Sequence, residues 1–345
     1  MIIKQSAENF IVEEIPLKDW DDAGPYSVFR VTKTDLNTEQ AMQIISRKFH
    51  IPSDTIKYAG TKDRHAVTTQ YISIPDRHGL KDIRLDEGNL KLEHVGYSEV
   101  PLSLGTLKGN RFIITVRDVT EKEAETLKSK GIGPESRFII PNYFDDQRFS
   151  TNNLSIGVSI LKKEYAKAVE LLLSDPYYDN TLRTRFEAFP NDHVGMLKRV
   201  PKKILQMFIH SVQSYLFNEA LSRTLIEYAK SNDIKHYCVD YSLGKLVFYN
   251  NPEDYSKTGV GSFELIGFDT RTVSHHIQDV MKNLGLGQRD FIVRAIPELS
   301  LDGTDRECFV DVENMKIEVL DARTILEFEL SKGAYATMVV KALFN

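Results

Sequence analysis

The chain has 345 residues, 41% hydrophobic and 27% charged, an ordinary globular balance that needs no disulfide or metal staples, and its length suits two domains. No apolar run approaches the roughly 18–20 residues that span a bilayer and nothing at the N-terminus reads as a secretory signal, so a cytoplasmic protein outside the membrane is expected. A net charge of −5 argues against a protein that coats nucleic acid nonspecifically while leaving room for a local positive surface, and two distant cysteines, Cys238 and Cys308, support neither a disulfide framework nor a Cys-based zinc site.

In chain order, residues 10–15 and 26–32 are rich in β-branched and aromatic residues, with Asp21-Asp22-Ala23-Gly24-Pro25 as a turn between them, and are expected to pair antiparallel. Asn37-Thr38 can cap a helix in which Ala41, Ile44, Ile45, Lys48 and Phe49 fall at helical spacing, ending before Pro52. Gly60-Thr61-Lys62-Asp63-Arg64-His65 reads as a turn feeding a strand over 66–74, which puts Asp63 at a strand entrance. Further strands are expected at 90–95 and 111–117, with a polar helix over 121–130. From about 153 to 226 the pattern is mainly helical, strongest at 209–221; strand-like sequence resumes near Ala322, alternates with period two over 324–330, and gives way after Gly333 to a last helix over 334–343. This order fits an α/β domain interrupted by an insertion, the chain returning to complete the first domain.

Three segments could carry chemistry. A reacting carboxylate must be ionised, presented to a cleft and held beside a cation, and the turn carrying Asp63 can do that. By itself the segment reads more simply as a surface turn whose Asp satisfies backbone amides. Pro141-Asn142-Tyr143-Phe144-Asp145-Asp146-Gln147-Arg148-Phe149 interleaves three aromatics with an amide and a guanidinium, the groups that stack on and read an unstacked RNA base; a core plug with a surface Arg148 is the plainer reading of that segment alone. Lys198, Arg199, Lys202 and Lys203 lie close together before the strongest helix and suit phosphate contact, while a solvated charge run fits equally. His275-His276 stands without ligands at metal spacing, so no metal site is expected, and the glycines form neither a Walker loop nor a dinucleotide fingerprint, so no cofactor is expected.

Six blocks in order along the chain resemble the TruD family of tRNA pseudouridine synthases: 8–10 (Glu-Asn-Phe), 59–70 (Ala-Gly-Thr-Lys-Asp-Arg-His-Ala-Val-Thr-Thr-Gln), 104–112, 141–149, 213–218 and 332–337. The resemblance implies a mixed α+β protein: a catalytic core with a mixed, largely antiparallel sheet over 1–155 and 305–345, and a mostly helical α/β insertion over 156–304. It implies that Asp63 is the catalytic aspartate with Lys4 as its basic partner, that Phe10, Asn142 and Tyr335 contact the target nucleotide, and that Phe144 lies against the uracil. The implied reaction is cofactor-free isomerisation of uridine in folded RNA, with tRNA as partner, uridine 13 as target and no obligate protein partner. The chain departs from the family at Asp145 and Ser150, where Gly is common, and at Tyr335, where Phe is common. A non-catalytic RNA-binding protein is the alternative reading; it would have no need of a carboxylate, which repels phosphate.

Overall fold

The computed structural model describes residues 3, 5–77, 80–130, 138–174, 180–320 and 323–345. The elements run β1 (Phe10–Pro16), β2 (Tyr26–Thr34), α1 (Thr38–Phe49), β3 (Lys57–Tyr58), β4 (Val67–Pro75), β5 (Leu85–Glu87), β6 (Leu90–Ser98), β7 (Leu107–Arg117) and α2 (Glu121–Ser129). They continue with β8 (Phe138–Pro141), α3 (Asp146–Phe149), α4 (Asn153–Leu161), α5 (Tyr165–Ser174), α6 (Asn180–Ala188), α7 (His193–Leu197) and α8 (Lys202–Asn232). After these come β9 (His236–Tyr241), β10 (Gly244–Tyr249), α9 (Asp254–Lys257), β11 (Ser262–Leu265), α10 (His275–Asn283), β12 (Thr304–Glu307), β13 (Phe309–Leu320), β14 (Arg323–Ser331) and α11 (Ala336–Phe344). The protein is thus of the mixed α+β class, and the chain divides into two compact units: residues 1–138 with 311–336 and Phe344, and residues 139–310 with 337–343 and Asn345.

In the first unit the strands follow the order β5-β6-β2-β4-β1-β7-β14-β13, with β3 attached to β4. All pairs along this path are antiparallel except β1–β4, which is parallel with Ile11 opposite Val67. The antiparallel pairing expected between β1 and β2 does not form, because β4 lies between them. The link from β1 to β2 is pinned across the sheet instead: Asp21 bridges to Tyr97 of β6, and the Trp20 ring packs 5.1 Å from that of Tyr71 on β4. Helix α1 starts where a capping box satisfies its first amides, the Asn37 carboxamide accepting from Gln40 N at 2.8 Å and the Gln40 side chain accepting from Asn37 N at 3.0 Å. Ala41, Met42 and Ile45 of α1 then pack on Phe29, Val31, Ile72 and Leu92, an apolar stripe laid over the sheet.

The second unit is built on α8, 31 residues long and buried on successive turns by Phe208, Val212, Leu216, Ala220 and Leu225. Gly157 lets α4 lie directly against it, since a Cβ there would meet the Phe208 carbonyl oxygen at 2.2 Å. A hairpin, β9–β10, and a second antiparallel pair, β11–β12, joined through α10, belong to this unit. Cys238 is an exposed and Cys308 a buried free thiol, and among the described residues no helix is long and apolar enough to cross a membrane.

Candidate active site

In the first unit Asp63 sits on the loop entering β4, half-buried, and four contacts fix the loop's path. Lys33 of β2, with no exposed surface, reaches under it and donates from Nζ to the carbonyl oxygens of Asp63 at 2.8 Å and Leu36 at 2.5 Å. Burial pushes the Lys33 ammonium down to about 8, with the Asp63 charge opposing the shift and Lys62 adding to it. The Thr38 hydroxyl accepts from Lys62 N at 3.0 Å and donates to Gln70 Oε1 at 3.0 Å, and Gln70 Nε2 donates to the Gly60 carbonyl at 3.3 Å. Lys62 turns inward to Glu14 of β1, Nζ to Oε2 at 2.6 Å, an ion pair whose side chains are only 6% and 2% exposed.

More distant blocks of the sequence close on the same loop. Gly105, at φ +88°, donates from its amide to the Ala59 carbonyl at 2.7 Å, and its own carbonyl accepts from Lys332 Nζ at 2.9 Å. Gly105 and Lys332 thus tie together the segments around 59–70, 104–112 and 332–337. Tyr335, half-buried, follows Lys332 at the start of α11. Phe10 is buried, its ring edge-on to that of Phe112 at 6.2 Å, and the preceding Asn9 accepts from Arg117 Nε at 3.2 Å. Lys4 lies outside the described residues.

In the second unit Asn142, Tyr143 and Phe144 are all buried. The Asn218 carboxamide of α8 clamps the Phe144 backbone on both sides, accepting from its amide at 2.9 Å and donating to its carbonyl at 2.8 Å. Phe144 then stands edge-on to Phe217 at 5.7 Å, while the Arg306 guanidinium lies 4.0 Å and the Arg148 guanidinium 5.3 Å from its ring centroid. Arg306 also reads Asn142 twice, Nε to the carbonyl at 3.0 Å and Nη2 to Oδ1 at 2.6 Å. Asn142 Nδ2 donates to the Glu307 carbonyl at 3.0 Å, which leaves its carboxamide in one orientation. Two guanidinium groups thus lie within cation–π distance of one buried aromatic ring.

The two departures in this loop resolve differently. Asp145 pairs with Lys341 of α11 at 2.6 Å, and Lys341 also approaches Asp146 at 3.2 Å, so the extra carboxylate is neutralised within the unit. Ser150 adopts φ +46°, ψ −150°, a conformation that only glycine enters without strain. Lys198, Arg199, Lys202 and Lys203 are exposed around the start of α8, the loop beneath them anchored by the buried Met196, Leu197 and Val200. Lys202 and Lys203 fall in the first turn of α8, where cations oppose the helix dipole.

A family model described as tRNA pseudouridine synthase D (TruD) matches residues 1–188 and 177–343, nearly the whole chain. The chain belongs to the TruD family. It is 33% identical to "Probable tRNA pseudouridine synthase D 1" of Methanococcus maripaludis, with all of both chains covered, and 29% identical to "tRNA pseudouridine synthase D" of Aquifex aeolicus, covering 99% of this chain and 97% of that one. The crystal structure of a TruD chain from Methanosarcina mazei superposes with a TM-score of 0.67 at 25% identity, over 99% of this chain and 93% of that one. Membership in TruD makes this a pseudouridine synthase, an isomerase that converts uridine to pseudouridine, and bears out the family and fold class read from the six blocks. Lys33 and Arg306 went unread, and Asn218 was read only as part of the 213–218 block with no role, since each acts on a partner far away in sequence: Arg306, for one, meets Asn142 across 164 positions.

Proposed function

We propose that the chain isomerises uridine to pseudouridine in tRNA, with uridine 13 as its target, Asp63 as the reacting carboxylate and no cofactor. The observation that supports this most is the loop carrying the half-buried Asp63, which is held by Lys33, Thr38, Gln70 and the Lys62–Glu14 pair, with the charges of Asp63 and Lys33 acting on each other. Loops need that many anchors where a side chain must keep one position during chemistry. The reaction breaks the bond between ribose C1′ and N1, turns the uracil, and joins C1′ to C5; C5 gives up a proton and N1 gains one, so the change is electron-neutral. Whether Asp63 attacks the sugar or the ring or removes a proton, it must be ionised, and the Lys33 charge favours that form.

In this reading Lys4 is the basic partner of Asp63, and Phe10 and Tyr335 bound the nucleotide. Asn142 reads the uracil edge and Phe144 covers its face, Arg306 holding both in place. Arg148 and the cations Lys198, Arg199, Lys202 and Lys203 meet phosphate, where charge supplies sequence-independent affinity. The test is carbodiimide modification and primer extension on tRNA incubated with the purified protein. Parent protein should give a stop at uridine 13 after exhaustive chelation; Asp63→Asn should give none while binding the same tRNA within a few fold. Near-parental turnover in Asp63→Asn removes the aspartate from the mechanism, and a stop elsewhere on the tRNA corrects the target.

A further inference from the structure

Helices α8 and α10 bring together three side chains that the isomerisation does not use. His275 and His276 open α10, and Glu227 lies on the last third of α8; one ligand atom from each of the three falls within 4.8 Å of the other two. Glu227 Oε2 is 3.3 Å from His276 Nε2, and the two imidazole centroids are 3.9 Å apart. His276 is buried and fixed, whereas Glu227 is 66% exposed and has freedom to adjust. An ion bonded at roughly 2.0–2.2 Å to each ligand separates them by roughly 3–4.3 Å, so closing this trio onto a metal takes shifts of under about 1 Å, most of which the exposed carboxylate can supply.

We propose that Glu227, His275 and His276 form a divalent transition-metal site, holding a cation of the zinc, cobalt or nickel class through two imidazoles and one carboxylate, with the remaining positions open to water. The donor set decides the class: imidazole nitrogen favours these ions, whereas magnesium and calcium select all-oxygen shells. The surrounding charges act in both directions: Arg223, one turn before Glu227 and 3.9 Å from Glu219, opposes positive charge at His276, while Glu227 itself and Asp279 on α10 favour it. A bound ion would cross-link α8 to α10 inside the second unit. The site is also separate from the nucleotide-binding residues, because nine residues of α8 between Asn218 and Glu227 span about 13 Å.

The experiment uses the full chain stripped with chelator and then titrated with cobalt and with zinc, following cobalt absorbance and binding heat, with magnesium as control. One ion per chain should bind in the micromolar range, magnesium should not compete, and zinc should raise the melting temperature. Glu227→Gln and His275→Ala, both at exposed positions that leave the buried core intact, should each weaken binding at least tenfold and abolish the thermal shift. The proposal fails if no ion binds at up to millimolar concentration, or if both variants bind as the parent does, which would place the metal on another of the nine histidines.

Discussion

Two substitutions that each put a glycine into the loop following β8 should move stability in opposite directions. Ser150 holds φ +46°, ψ −150°, where an L side chain costs about 1–3 kcal/mol. Ser150→Gly removes that strain but gives the unfolded chain more freedom, which offsets about 0.5–1 kcal/mol. The net expectation is a gain of about 0.5–2 kcal/mol. Asp145, at φ −92° and ψ 171°, is in an extended conformation open to any residue, so glycine relieves nothing there. Asp145→Gly also breaks the 2.6 Å bond to Lys341, between side chains only 10% and 20% exposed. A charge-assisted bond of this kind contributes about 1.5–3 kcal/mol, partly retained here because Asp146 stays 3.2 Å from the same ammonium. With the added backbone freedom, a loss of about 2–3 kcal/mol is expected. Urea denaturation followed by circular dichroism gives the two values, and hydrogen exchange over residues 139–161 assigns them to this loop. A Ser150→Gly protein no more stable than the parent, or an Asp145→Gly protein no less stable, refutes the argument from backbone conformation.

Three further outcomes follow from the first unit and the cation cluster. Because Lys33 holds a pKa of about 8 in the folded chain against the usual 10.5, the unfolded chain binds more protons between those values, and stability contributed by this group rises with pH across that window. The parent's stability should therefore climb relative to Lys33→Met by on the order of 1–3 kcal/mol from pH 8 to 10.5, and parallel pH profiles would contradict the burial of that charge. Glu14→Leu should cost about 3–5 kcal/mol by stranding the buried Lys62 ammonium, while Glu14→Leu with Lys62→Met should recover most of it; a single variant as stable as the double would show the pair to be solvated. Changing Lys198, Arg199, Lys202 and Lys203 together to Ala should weaken tRNA binding and flatten its salt dependence by about one unit of slope per lost phosphate contact at most, with single-turnover rate on bound tRNA preserved; unchanged affinity and slope at every salt concentration would return the cluster to a solvated charge run.

Local signals carried much of the fold. The expected helix at Asn37 begins where the capping box forms, and the period-two stretch at 324–330 is β14. What escaped were pairings and interruptions. β13 is 12 residues long, yet Asn314 at φ +54° and a register shift between Glu313 and Lys316 break its alternation, so its two halves do not read as one strand. The β1–β2 pairing failed because adjacency in sequence does not say whether a third strand will enter between two neighbours. At the candidate site, the turn at Asp63 and the aromatic loop were legible as composition. Their supports were not: a buried lysine under a carbonyl, or an asparagine clamping a backbone from another helix, leaves no local pattern.

The length of α8 has a consequence for the substrate. Lys202 at its start and Asn218, which holds Phe144, are sixteen residues apart on one unbroken helix, about 24 Å. If the proposed sites hold, the helix is a ruler of fixed length: an RNA in the aromatic clamp would meet the cations only if its backbone extends that far. On the proposed reading, a short oligonucleotide centred on the target uridine would fill the clamp and leave the far end empty, whereas a whole folded tRNA would engage both, so discrimination between them would come from molecular reach and not from base identity.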